Sequence, residues 1–192
     1  MADEISAQLP ADIQLTHTFV QGGVGGLAGA MCGYLWQTLG DKRPRFVIVE
    51  PDRADCLYQS ARNGEPTVVN VVEESVMAGM SCGKVSFLAW QILSCGTNDF
   101  MTIPDELIAP AMRSLADGSY ASRPVIAGES AVAGVSALRG EEDEGELLVR
   151  DLVRGRDAVL GAHGHLGEPQ LLGRRVPGAV AVAPGGGRRG RG

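Results

Sequence analysis

Thr16-His17-Thr18-Phe19-Val20-Gln21-Gly22-Gly23-Val24-Gly25-Gly26-Leu27-Ala28-Gly29 decides the fold. Thr18 to Gln21 is a short β-prone run that stops at glycines, and Leu27 to Leu39 is an apolar, alanine-rich helical pattern ending at Gly40. The reading is strand, tight loop, helix. After Asp41-Lys42-Arg43-Pro44, the β-branched run from Arg45 to Glu50 has the character of a strand buried on both faces of a parallel sheet. The unit is therefore β-loop-α-β.

Gly23-x-Gly25-x-x-Ala28 between a strand and a helix fits the dinucleotide-binding fingerprint, with Glu50 where a ribose-binding acid would sit. On spacing alone, a nicotinamide- or flavin-dependent oxidoreductase stands as one reading. What every ligand reading shares is narrower: glycines let backbone amides approach a phosphate, and the helix N-terminus near Leu27 supplies a favourable dipole. The opposing reading is a tight turn with close helix packing. Five of the eight residues from Gly22 to Gly29 are glycine, more than a turn requires, which favours a phosphate site.

Further along, Pro51-Asp52 ends the second strand, and a helix over 54–61, capped by Asp52, is expected to close at Asn63-Gly64. Residues 67–72 and 125–127 read as strands. Segments 86–93, 105–116 and 131–138 read as helices, the second with Pro104 ahead of its acidic first turn. The alternation predicts an α/β fold with a mostly parallel sheet. Glu141 to Glu146 is an acidic run, and 147–153 suggests one more helix. Beyond Leu160 the chain is dominated by Gly, Pro, Ala and Arg, which divides it into a domain over 1–160 and a low-complexity Gly/Pro/Arg-rich tail over 161–192 that is expected to be disordered.

At 192 residues and 44% hydrophobic content the chain suits one substantial domain. A net charge of -6 argues against nucleic-acid or membrane-surface partners, since these need clustered cations. Cys32, Cys56, Cys82 and Cys95 form no C-x-x-C pair, and His17, His163 and His165 do not complete a metal site, so no metal is expected. Without a signal peptide or a long apolar run, a reducing cytoplasm is the expected compartment.

Over a longer span the chain resembles the diaminopropionate ammonia-lyases. The opening stretch is similar to the segment in which their strand feeds a pyridoxal-phosphate (PLP) loop. The resemblance continues through Val49-Glu50-Pro51-Asp52-Arg53-Ala54-Asp55-Cys56, then Met77-Ala78-Gly79-Met80-Ser81-Cys82-Gly83, then Leu88-Ala89-Trp90-Gln91-Ile92-Leu93. It closes on Ala127-Gly128-Glu129-Ser130 and spans most of 2–160 in order. It implies part of a fold-type II PLP enzyme of the tryptophan synthase β-like kind, whose reaction converts 2,3-diaminopropionate to pyruvate and ammonia. That reaction needs a lysine Schiff base, a base at Cα and the pyridine ring as electron sink.

By the same resemblance, Gly22, Gly23, Val24, Gly25 and Gly26 form the phosphate cradle. Glu129 matches an acidic position beside the cofactor ring, although its place also suits an ordinary helix start. Ala78 and Gly79 either line the cofactor slot or simply pack. The departures concern the lysine. Lys42 and Lys84 are the only two in the chain, and neither matches the Schiff-base position, so no catalytic residue is assigned. The family's lysine segment corresponds to sequence ahead of Met1, and its Thr-Glu-Gly-like segment has no match after Leu160. These departures predict an inactive fragment, with a frameshift near Leu160 as the expected origin of the tail. Its expected partners are an amino-acid substrate and either a second copy or the missing N-terminal portion. A threonine dehydratase-like lyase, a dinucleotide-binding oxidoreductase and a non-enzymatic partner-binding fragment are the alternatives.

Overall fold

A computed structural model describes residues 1–10, 13, 15–119, 123–139, 152–154 and 179–182. Helix α1 spans Ala2–Gln8, strand β1 Leu15–Gln21, α2 Gly26–Leu39, β2 Arg45–Pro51, α3 Cys56–Asn63, α4 Phe87–Gly96 and β3 Asp99–Ile103. They are followed by α5 Ile108–Ala116, α6 Ala133–Arg139, β4 Leu152–Arg154 and β5 Ala179–Val182. The sheet order is β4-β3-β2-β1-β5, with β5, β1, β2 and β3 parallel and β4 antiparallel at one edge. The α/β architecture with a mostly parallel sheet is the one expected.

Both faces of the sheet are covered, so the central strands read as continuous apolar runs rather than alternating ones. Val20, Phe46, Ile48 and Phe100 pack beneath α2, α3 and α4, where Met31, Leu35, Leu57, Trp90 and Leu93 complete one core. Phe19, Val47, Val49, Met101 and Ile103 face the other way, against Ile108 and Leu115 of α5 and Val135 of α6. β1, β2 and β3 therefore end at the same rim, each followed by a loop that leads to a helix on one face or the other.

Four expectations change. The helix read over 54–61 begins later, at Cys56, and its first-turn amides are held by Glu50 rather than Asp52. Residues 67–72 form no strand: one backbone bond, Val69 N–H to the Gly83 carbonyl at 2.8 Å, fixes the segment, while Val68 and Val72 point into solvent. Residues 125–127 are likewise irregular, with Ile126 exposed and Val125 N–H bonded to the Leu115 carbonyl at 2.8 Å. At the end of the segment 147–153, Leu152 and Val153 lie in β4 instead of a helix, and 147–151 fall outside the described residues. β3 escaped the sequence reading because polar Asp99 and Thr102 interrupt its apolar run. Both are buried, and Asp99 is paired with Arg45 through two hydrogen bonds, one of them 2.7 Å. Within the glycine- and arginine-rich tail, 179–182 pairs with β1 as β5.

Candidate functional site: the glycine loop at the strand rim

β1 ends where side chains end. Gly22 N–H donates to the Val49 carbonyl at 2.9 Å, adding one more rung to the parallel ladder. Gly23 then turns at φ +65° and Gly25 at φ +93°, a left-handed region open mainly to glycine. Gly25 is the N-cap of α2, and Gly29 N–H closes the first helical turn on its carbonyl at 2.7 Å. The amides of Gly26, Leu27 and Ala28 belong to that first turn, which has no intrahelical acceptor for them, no side-chain cap and no acidic residue. An uncapped helix N-terminus of this kind attracts an anion.

Most of the glycines have a packing reason as well. A Cβ on Gly22 would sit 2.5 Å from Glu50 Cγ, and one on Gly25 would meet Ala89 Cβ and Leu93 Cδ1, each at 3.1 Å. Gly29 lies against Ala89 of α4, with 3.4 Å left for a Cβ. Gly26 is different. It has no positive φ, a Cβ there would meet nothing within 4 Å, and it faces solvent. Neither the turn nor the packing calls for glycine at that position.

Two further segments reach this rim. The turn Ala78–Met80 places the Gly79 carbonyl 3.6 Å from where a Cβ of Gly23 would lie. Gly79 N–H donates to Ser130 Oγ at 3.1 Å, and Gln21 Nε2 donates to the Ala131 carbonyl at 2.6 Å. The turn Glu129–Val132 is thus tied both to the last residue of β1 and to the 78–80 turn, with Glu129 exposed at its start. The glycine loop, Gly79 and Glu129, far apart in sequence, share one mouth.

Glu50 does not belong to that mouth. Its carboxyl is fully buried, with Oε2 accepting from Tyr58 N–H at 2.7 Å and Oε1 from Leu57 N–H at 3.2 Å. Burial pushes it up to about 8, opposed by those two amides. A ribose-binding acid must offer its oxygens to a ligand; these are committed to α3, which removes the acid from the dinucleotide reading.

Both lysines are exposed. Lys42 lies in the turn Gly40–Lys42 beyond the far end of α2, about 20 Å of helix from the loop at 1.5 Å per residue, and Lys84 follows Gly83. His17 is on β1 at the end opposite the loop, beside the Arg45–Asp99 pair, and burial lowers its pKa. His163 and His165 lie outside the described residues. The ties made by Gln21 and Ser130 were missed in the sequence, because hydrogen bonds spanning 110 and 51 positions leave no local pattern.

Next to the loop, at the end of β2, an open cavity of about 490 Å³ is lined by Asp52, Arg53, Asp55, Glu73 and Glu106 among others. Arg53 is occupied there, 2.8 Å from Glu73 and 3.8 Å from Asp105. Its acidic lining makes it a poor host for phosphate.

The chain is 34% identical over 164 residues to a diaminopropionate ammonia-lyase of Escherichia coli (strain K12), an alignment covering 83% of this chain and 41% of that protein. The chain thus spans well under half the length of that relative. The crystal structure of the E. coli diaminopropionate ammonia-lyase in complex with D-serine superposes with a TM-score of 0.63 at 36% identity, over 72% of this chain and 34% of that one. Threonine deaminase isoform 2 from Solanum lycopersicum shares the fold, with a TM-score of 0.59 at 20% identity, over 70% of this chain and 34% of that one. Open first-turn amides beside an exposed glycine suit the phosphate ester of pyridoxal phosphate, the cofactor this likeness brings. With residues 1–150 matching the family described as pyridoxal-phosphate dependent enzyme, the chain belongs to that family.

Proposed function

We propose that this chain is the cofactor-phosphate portion of a diaminopropionate ammonia-lyase, with residues 1–160 as its part of the PLP-binding large domain. The observation that carries the reading is Gly26, a glycine explained by neither turn nor packing, at the open N-terminus of α2. The amides of Gly23, Val24 and Gly26 are the donors best suited to the phosphate, joined by those of Leu27 and Ala28 in the first turn. Gly22 and Gly25 serve chiefly by shape, since the Gly22 amide already bonds Val49 and Gly25 fits where no Cβ would. Glu129 is the acid we assign to the ring side of the mouth, held by Ser130 and Ala131 of its own turn.

Pyridoxal phosphate, when bound, supplies the electron sink that makes loss of a Cα proton and a β-amino group accessible. The residues of this chain hold the phosphate through the loop amides, with the Gly79 turn packed against Gly23. Neither Lys42 nor Lys84 is placed to anchor the cofactor covalently, so the 192-residue chain alone is proposed to bind it without turning over 2,3-diaminopropionate. Phe87 and Leu88, exposed on the first turn of α4, and Val24 on the loop suit a surface covered by further polypeptide, either a second copy or an N-terminal portion. Four free thiols fit a reducing cytoplasm. Among the described residues no helix is long and apolar enough to cross a membrane.

The test is titration of the full chain with pyridoxal phosphate. Saturable binding that inorganic phosphate competes away, that Gly26→Asp abolishes and that borohydride does not fix is the expected result. A borohydride-fixed cofactor together with turnover of diaminopropionate would overturn the inactive reading. Tighter binding of NADH than of pyridoxal phosphate would overturn the cofactor reading.

A further inference from the structure

The one buried acid of the rim that the proposed function leaves unused is Glu50, and it lies directly behind the phosphate loop. Its Cγ occupies the space a side chain at position 22 would need, with Oε1 only 3.2 Å from that imagined Cβ. The same carboxyl accepts from two first-turn amides of α3, Leu57 and Tyr58. Cys56 closes the circuit, its Sγ being 3.9 Å from Glu50 Oε1 and 3.5 Å from the Gly23 carbonyl. Gly22, Glu50, Cys56 and Gly23 therefore form one ring of contacts, and a change of charge at Glu50 is felt on the inner wall of the loop.

We propose that Glu50 is a positioning residue of the phosphate site: its carboxyl holds the first turn of α3 against the glycine loop, and occupation of the loop by a phosphate ester is coupled to protonation of that carboxyl. The inference rests on the reading of the loop as a phosphate cradle. Its physical basis is repulsion across the loop. A dianion on the outer side and a carboxylate buried directly behind the backbone are like charges, and the buried one has no water to screen it, so the neutral acid is favoured when the loop is filled. Burial already brings the group to the point where it exchanges its proton near neutrality. Of the elements around it, α3 presents Asp55 and Cys56, and Cys82 approaches Gly23 from the segment beyond. The glycine loop presents no ionisable group, and β3 presents Thr102 at the register position of Glu50.

Isothermal titration of inorganic phosphate into the full 192-residue chain at pH 8.5, where phosphate is already a dianion, in buffers of different ionisation enthalpy, measures the protons exchanged. The expected result is uptake on the order of half a proton per phosphate bound, abolished in Glu50→Gln and retained in Asp55→Asn and Cys82→Ser. A purely structural Glu50 would change affinity and leave no such linkage. Binding by the unmodified chain with no proton uptake overturns the inference and leaves the cradle intact. So does uptake that survives in Glu50→Gln or vanishes in Asp55→Asn. If Glu50→Gln does not fold by circular dichroism, the wild-type uptake and the Asp55→Asn and Cys82→Ser variants still decide the matter. No phosphate binding by the unmodified chain overturns the cradle and the inference together.

Discussion

Two neighbouring strand-loop-helix units of this chain have the same topology and opposite electrostatics. After β1, the loop enters α2 through glycine, with no side chain over the first-turn amides. After β2, the entry to α3 passes through Asp52, Arg53 and Asp55, and the first-turn amides are taken by the carboxyl of Glu50 from the end of β2 itself. A helix N-terminus is anion-seeking in both. In α3 that demand is met internally by Glu50; in α2 it is left for something from outside. The helix dipole alone does not make a site, and what distinguishes the two is whether the preceding strand delivers an acid or a glycine.

The contrast breaks most severely at Gly25. Replacing it with alanine forces a side chain onto a φ of +93° and into 3.1 Å contacts with Ala89 and Leu93. A loss of roughly 2–4 kcal/mol in urea unfolding is expected, and a loss under about 1 kcal/mol would mean that the loop relaxes at little cost. On the α3 side, Glu50→Ala leaves two buried amides without their acceptor. It is expected to cost about 2–3 kcal/mol, with wild-type stability in that variant counting against the cap.

The same acid gives a pH signature. Its folded-state pKa is raised above 4.5 to about 8, so between those values the folded chain holds a proton that the unfolded chain has released. The stability from this group is full at acid pH and is lost as pH rises through about 8. The urea unfolding free energy of the wild type should therefore fall relative to that of Glu50→Gln between about pH 5 and pH 9, by on the order of 3 kcal/mol. A pH-independent difference between the two proteins would remove the raised acid. Gly26→Ala sharpens the comparison with the smallest change in stability. Unfolding should shift by less than about 1 kcal/mol, in the stabilising direction, while affinity for inorganic phosphate drops on the order of tenfold. Unchanged affinity would return Gly26 to the role of an ordinary helix residue.

Much of this was legible locally. The β1-loop-α2-β2 unit follows from a β-prone run, a glycine cluster and an alanine-rich helix, because each element is set by neighbours within a few residues. The helix over 86–93 is legible in the same way, and the structure adds that Ser86 is its N-cap, the hydroxyl accepting from Ala89 N–H at 3.4 Å. Residues 67–72 misled because β-branched composition shows what suits a strand, not whether a partner edge is available. β3 hid for the converse reason: a buried polar residue such as Asp99 is acceptable only because Arg45, fifty-four positions away, faces it.

By itself, the sequence determined the α/β class, the glycine loop between strand and helix, and the family whose motifs surround it, since these depend on local pattern and on order along the chain. Only the tertiary structure decided the fate of Glu50. On spacing that residue sits where a ribose would be held, and the fold instead turns its carboxyl inward onto α3 behind Gly22. The physical reason is that a carboxylate seeks the nearest unpaired donors, and which donors are nearest is fixed by how β2 and α3 pack rather than by their separation in sequence.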